Sequence, residues 1–263
     1  MEPGTRLVVQ DLGDGPAVVL VPGFGLDHTL WDRTALLLAS AGYRVVCVDQ
    51  RGHGGSDKPF TGYEVTRLAA DLGAVIDTLA LDDATVVGHS FGGQVAFGLA
   101  AARRDLVGKL VLVGSSGVRA SRSIGFPFGA PVEAVLPALL SGEEQDRISS
   151  RRETLVSAFA QKPTEEVTAW LLEISLRMPS RAALACYHSM LETDLLDLIP
   201  AVTQPVLQVI GAHDPVHSAR GARWLNAQLA SATLVELPDC GHYPMLEAPT
   251  EFERAVLEFL PTR

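Results

Sequence analysis

The stretch that decides the fold is Ala84-Thr85-Val86-Val87-Gly88-His89-Ser90-Phe91-Gly92-Gly93-Gln94-Val95-Ala96. A short apolar run ends at Gly88, and a helical pattern of small residues opens after Ser90. Between them lies Gly88-x-Ser90-x-Gly92, a serine with a glycine two residues away on each side. This spacing suits a sharp strand-to-helix turn, where a neighbouring Cβ would crowd the backbone. Such a turn lifts the serine hydroxyl clear of the sheet and aims the new helix's amides at whatever reacts there. A plain turn whose serine merely caps the helix is the competing reading, and the strand before and helix after weigh against it.

Outward from this turn the chain alternates. Leu7-Val8-Val9 reads as a short strand and Ala17–Val21 as a buried one, stopped by Pro22-Gly23. Residues 29–41 read as a helix with Leu30, Leu36, Leu37 and Leu38 on its apolar side, then Arg44–Asp49 as a strand. Residues 64–81 have helical periodicity and lead into the central strand, and Leu110–Val113 gives another. Strands interleaved with helices mean parallel βαβ units, so the expected fold is α/β, a mostly parallel doubly wound sheet. From Gly114 to Pro200 no buried strand run occurs. Helical patterns at about 131–140, 148–161, 164–178 and 181–191 instead imply a helical insertion, with Thr164 as a helix cap. The alternation resumes with Val206–Ile210, Ala219–Leu229, Thr233–Leu237 and Thr250–Leu260. The expected organisation is a core of residues 1–116 and 200–263 carrying a cap of about 117–199.

At 263 residues and 47% hydrophobic composition, the chain can bury one large core. A net charge of −10 argues against nucleic acid or an anionic membrane as partner. Arg103-Arg104 and Arg151-Arg152 are isolated pairs, expected on solvated helix faces. No basic-then-apolar leader opens the chain, and no apolar run approaches spanning length, so a cytoplasmic protein is expected. Cys47, Cys186 and Cys240 are odd in number and lack C-x-x-C spacing, which points to free thiols and not to a disulfide frame or zinc site.

A serine hydroxyl is a weak nucleophile that needs a base, and the base needs an acid to orient it. Functional groups of open α/β sheets gather beyond the carboxyl ends of the strands. Two such ends follow Ser90: Gly211-Ala212-His213-Asp214-Pro215 and Pro238-Asp239-Cys240-Gly241-His242-Tyr243. Asp214 and His242 each lie just past a strand and complete the order Ser, Asp, His.

With these residues in place the chain resembles the α/β-hydrolase superfamily over nearly its whole length. The motifs are Pro22-Gly23-Phe24-Gly25, Asp49-x-Arg51-Gly52-x-Gly54-x-Ser56, Gly88-His89-Ser90-Phe91-Gly92-Gly93, Gly211-x-x-Asp214 and Gly241-His242. The resemblance implies Ser90 as nucleophile, His242 as general base and then acid, Asp214 as orienter, and an oxyanion hole from the backbone N–H groups of Phe24 and Phe91. It implies no cofactor and no metal. Relatives commonly have His-Gly where this chain has Pro22-Gly23, which bears on the packing of that loop.

Asp239 is a competitor for the acid, but it sits on the same loop as His242 and reads as a turn residue. His213 and His217 have i, i+4 spacing broken by Pro215, which disfavours a metal pair. His89 is expected to pack away from Ser90, and His53 to make a structural hydrogen bond. Trp31, Met190 and Tyr243 are candidate pocket residues, with a core role for Trp31 as the alternative. The motifs look similar to small bacterial esterases, lactonases and cofactor-free haloperoxidase-like enzymes. The expected reaction is hydrolysis of a small apolar ester or lactone through an acyl-serine. The alternatives are a triad-retaining ligand sensor with slow turnover and a carbon–carbon bond hydrolase. Tyr243 stands against the latter, because those hydrolases usually have tryptophan after the histidine.

Overall fold

The computed structural model describes residues 4–260. Seven strands form one sheet: β1 (Val9–Leu12), β2 (Ala17–Val21), β3 (Arg44–Val48), β4 (Ala84–His89), β5 (Val107–Val113), β6 (Val206–Gly211) and β7 (Ala232–Leu237). Their spatial order is β1-β3-β2-β4-β5-β6-β7, antiparallel at the β1 edge and parallel elsewhere. The central strands β2 and β4 are buried at every position, as expected of a sheet covered on both faces.

One face carries α1 (Asp32–Ser40) and the last helix, and the other carries α2 (Val65–Thr78) and α3 (Phe91–Ala102). Leu20, Val45, Val87 and Val111 point into the first layer, and Val19, Val46, Val86 and Leu110 into the second. This is the period-two alternation of a strand read out on two apolar cores.

Between β5 and β6 the chain leaves the sheet and forms α4 (Val132–Gln145), α5 (Arg147–Ser157), α6 (Glu165–Leu176) and α7 (Ser180–Glu192). Thr164 caps α6 through its side chain, as its sequence position suggested. After β6 come α8 (Ala219–Gln228), the one-turn α9 (Pro244–Glu247) and α10 (Pro249–Phe259).

Three details differ from the sequence reading. The first strand lies at Val9–Leu12 and not at 7–9, because Val9 pairs with Val48 and Leu12 with Val45, while Arg44 binds Asp11. The helix expected from residue 29 begins as a 3-10 turn over His28–Trp31, where Asp27 Oδ1 accepts from the Thr29 amide at 3.1 Å. Regular helix starts only at Asp32, and its buried stripe runs through Ala35 and Leu38, which leaves Leu36 68% exposed. Arg151 is not on a solvated face. It is fully buried against Glu143, with guanidinium–carboxylate distances of 2.6 and 2.8 Å.

Candidate active site

Ser90 forms the turn between β4 and α3 with φ 51° and ψ −118°, a conformation that side chains rarely adopt. Its amide donates to the Val113 carbonyl at 2.9 Å, and its own carbonyl accepts from Ser115 Oγ at 2.8 Å. The flanking glycines are required by close approach. A Cβ on Gly92 would lie 2.5 Å from the Pro22 oxygen, and one on Gly88 would lie 2.6 Å from the Gly93 Cα. Gly23 is equally confined, since its Cβ would meet His89 Nδ1 at 2.8 Å and Ser90 Cβ at 3.0 Å.

The carboxyl ends of β6 and β7 deliver the other two groups. His242 Nε2 lies 2.9 Å from Ser90 Oγ, and His242 Nδ1 lies 2.9 Å from Asp214 Oδ2. With Nδ1–H donating to the carboxylate, Nε2 offers its lone pair to the serine hydroxyl. The second Asp214 oxygen accepts from the amides of Val216 and His217 at 2.8 and 2.9 Å. Burial alone would raise the Asp214 pKa, but the charge and hydrogen bond of His242, together with His217, hold it below the usual carboxylate value. Asp239 is exposed and makes none of these contacts.

His242 is clamped through its backbone. Its amide donates to the Ala158 carbonyl at 2.9 Å, and its carbonyl accepts from His89 Nε2 at 2.9 Å. Glu247 gathers the same loop by accepting from the amides of Gly241, Tyr243 and Ala160. His89 therefore packs behind the site through one nitrogen, and burial, with the neighbouring His242, lowers its pKa to about 3. His53 Nδ1–H donates to the Arg51 carbonyl at 2.9 Å, and burial lowers the His53 pKa to about 4. An imidazole facing a carbonyl must carry its hydrogen there, so Nδ1–H is the donor.

The Pro215 break disfavours His217 as half of a metal pair with His213. His217 is buried, and its ring stacks near that of His242 with centroids 5.7 Å apart, whereas His213 is exposed. Burial lowers the His217 pKa to about 4. Nothing in the sequence distinguished it, because its approach to His242 depends on how two separate loops fold.

A cavity of about 290 Å³ opens over Ser90 and His242. Its walls include Phe24, Leu139, Leu155, Tyr187, Met190 and Tyr243, so α4, α5 and α7 stand over the sheet edge. Of the three candidate pocket residues, Met190 and Tyr243 line this cavity. Trp31 does not: it is fully buried in the core, stacked on Phe252 and edge-on to His89. It ends the 3-10 turn His28–Trp31 and belongs to the core layer with Leu30, Ala35 and Leu38. The amides of Phe24 and Phe91 face no protein acceptor among the described residues. Phe91 opens α3, where an unpaired amide is normal for a first helical residue.

The chain belongs to the alpha/beta hydrolase family, whose model matches residues 18–255. It is 33% identical to a pimeloyl-[acyl-carrier protein] methyl ester esterase of Chromobacterium violaceum over 98% of this chain and 99% of that one. It is 32% identical to a non-heme chloroperoxidase of Streptomyces lividans, with 98% and 96% covered. Among solved structures, an esterase from Exiguobacterium antarcticum superposes with a TM-score of 0.94 at 28% identity, covering 98% of this chain and 96% of that chain. Among the described residues no helix is long and apolar enough to cross a membrane.

Proposed function

We propose that this protein hydrolyses a carboxylic ester or lactone of a small, largely apolar molecule through an acyl-serine intermediate. The observation that carries the reading is the unbroken chain of hydrogen bonds from Asp214 through His242 to Ser90, at 2.9 Å each, on the floor of the cavity. The relatives named as esterases lend it support.

In the proposed sequence the Ser90 oxygen attacks the ester carbonyl carbon as His242 Nε2 takes the hydroxyl proton. Asp214 holds the imidazole in the required tautomer and balances its transient charge. The carbonyl oxygen becomes an oxyanion, for which the Phe24 and Phe91 amides are the assigned donors. Collapse breaks the bond to the leaving alkoxide, which receives the proton from His242. Water then adds to the acyl-serine with His242 again as base, releasing the acid and restoring Ser90. Residues 117–199 serve as the cap, excluding water and shaping the acyl site.

The test is turnover on a panel of p-nitrophenyl esters and simple lactones by the wild type and Ser90→Ala. Many cycles per enzyme are expected, with a loss on the order of 10⁴ or more in kcat for the variant. A single stoichiometric turnover, or a rate that survives the substitution, contradicts the reading.

A further inference from the structure

Tyr187 is a cavity-lining side chain whose buried hydroxyl has no use in the scheme above. It lies on α7, is 1% exposed, and its hydroxyl makes no hydrogen bond to any described protein group. Buried hydroxyls are normally paired, and leaving one unpaired costs free energy that a bound ligand can restore. The ring is fixed: it stacks on Phe24 with centroids 4.4 Å apart and planes at 26°. Phe24 also supplies one of the amides assigned to the oxyanion, so the hydroxyl is held on the same wall as the reacting carbonyl.

The surroundings limit what this hydroxyl can bind. The charges that act on this hydroxyl are Glu143 and Arg151, and Arg151 also lines the cavity. Glu143 takes two of the Arg151 nitrogens, and the carbonyls of Ser175 and Met178 take the third. The arginine is thus matched by one carboxylate and saturated by main-chain oxygens. A carboxylate on the substrate would be buried here with no uncommitted cation to face it. A neutral oxygen needs only a donor, and burial keeps the Tyr187 hydroxyl protonated and able to give one.

We propose that Tyr187 is a specificity-determining residue whose hydroxyl donates a hydrogen bond to a neutral oxygen, a ketone, ether or hydroxyl, carried by the substrate away from its scissile ester. The substrate class is then an oxygenated neutral ester, in preference to a plain alkyl ester or a half-ester with a free carboxylate. This rests on the ester-hydrolase reading for its chemistry but not for its binding.

The experiment compares matched pairs of esters. In the acyl half these are p-nitrophenyl 4-oxopentanoate against pentanoate and 5-oxohexanoate against hexanoate. In the alcohol half they are 3-oxobutyl acetate against butyl acetate, and p-nitrophenyl hydrogen adipate represents the carboxylates. At least one oxo ester should exceed its alkyl partner by about 10-fold in kcat/KM, the size of one neutral hydrogen bond. Tyr187→Phe retains the ring and its stacking on Phe24, and should erase that preference, bringing the oxo ester down to the level of its alkyl partner. Calorimetric binding of the same pairs to Ser90→Ala, with and without Tyr187→Phe, reads the preference without turnover. Failure of hydrolysis is thereby separated from failure of the anchor. No oxo preference in either assay, a preference that survives Tyr187→Phe, equal loss on both members of a pair, or preference for the adipate half-ester overturns the proposal.

Discussion

Ser90 is held at a positive φ by hydrogen bonds to Val113 and Ser115 on the neighbouring strand end and by glycines that let α3 approach β4. The proposed base and acid are fixed as firmly, since His242 is bound at its amide and carbonyl, and Asp214 accepts on both oxygens. The acid can be tested directly. Asp214→Asn should lower kcat by about 10³–10⁴-fold through loss of the right imidazole tautomer, whereas Asp239→Asn should stay within about twofold. Steady-state kinetics on one ester settle it, and the reverse pattern would mean that Asp239 is the acid. Ser90, Asp214 and His242 could be read in the sequence because each is a chemically capable residue just past a strand. Tyr187, His217 and Arg151 could not, because their roles come from loops and helices meeting in space. For Trp31 the sequence left pocket and core both open, and it lies in the core at the end of the 3-10 turn that Asp27 caps.

Between elements, the loop after β7 is tied to the helical block by one side chain. Glu247 on α9 accepts the amides of Gly241 and Tyr243, on either side of His242, and also the amide of Ala160, just beyond α5. It therefore couples the position of the imidazole to the segment that carries the Ala158 carbonyl, to which the His242 amide donates. Glu247→Ala leaves these donors without their acceptor and should cost about 2 kcal/mol of stability. It should lower kcat more than it raises KM, because what it disturbs is the alignment of His242. Urea unfolding together with kinetics checks both, with the exposed Glu251→Ala as a silent control. A variant with normal kcat would show that the Ala158 and His89 contacts position His242 unaided. The four helices between β5 and β6 were legible from periodicity and capping, to within a few residues at most ends. The short α9 was not, since four residues opening on a proline carry too little pattern.

At the scale of the whole molecule, three buried histidines link folding to pH. His53, His89 and His217 have pKa values lowered to about 4, about 3 and about 4 from an ordinary 6.5, chiefly by burial. In the unfolded chain they take protons near pH 6.5 that the folded chain refuses until much lower pH. Stability is therefore full above about pH 6.5 and falls as pH drops towards 4. Each site contributes a slope of at most about 1.4 kcal/mol per pH unit. Urea midpoints should decline between pH 7 and 5, and His217→Gln should make that decline shallower. A flat profile, or an unchanged slope in the variant, contradicts the burial argument. The mostly parallel sheet with helices on both faces was open to sequence reading because strands alternate with helices along the chain, whereas the strand order was not read.

The central claim is that Ser90 is the activated nucleophile, and covalent trapping addresses it without a substrate guess. A fluorophosphonate reacts with a serine whose proton has a base to go to, so intact mass spectrometry followed by peptide mapping reads the site. The account predicts one adduct per chain, on the peptide containing Ser90, absent from Ser90→Ala and much slowed in His242→Ala. An adduct that persists in Ser90→Ala, or that maps to another residue in the wild type, would contradict it.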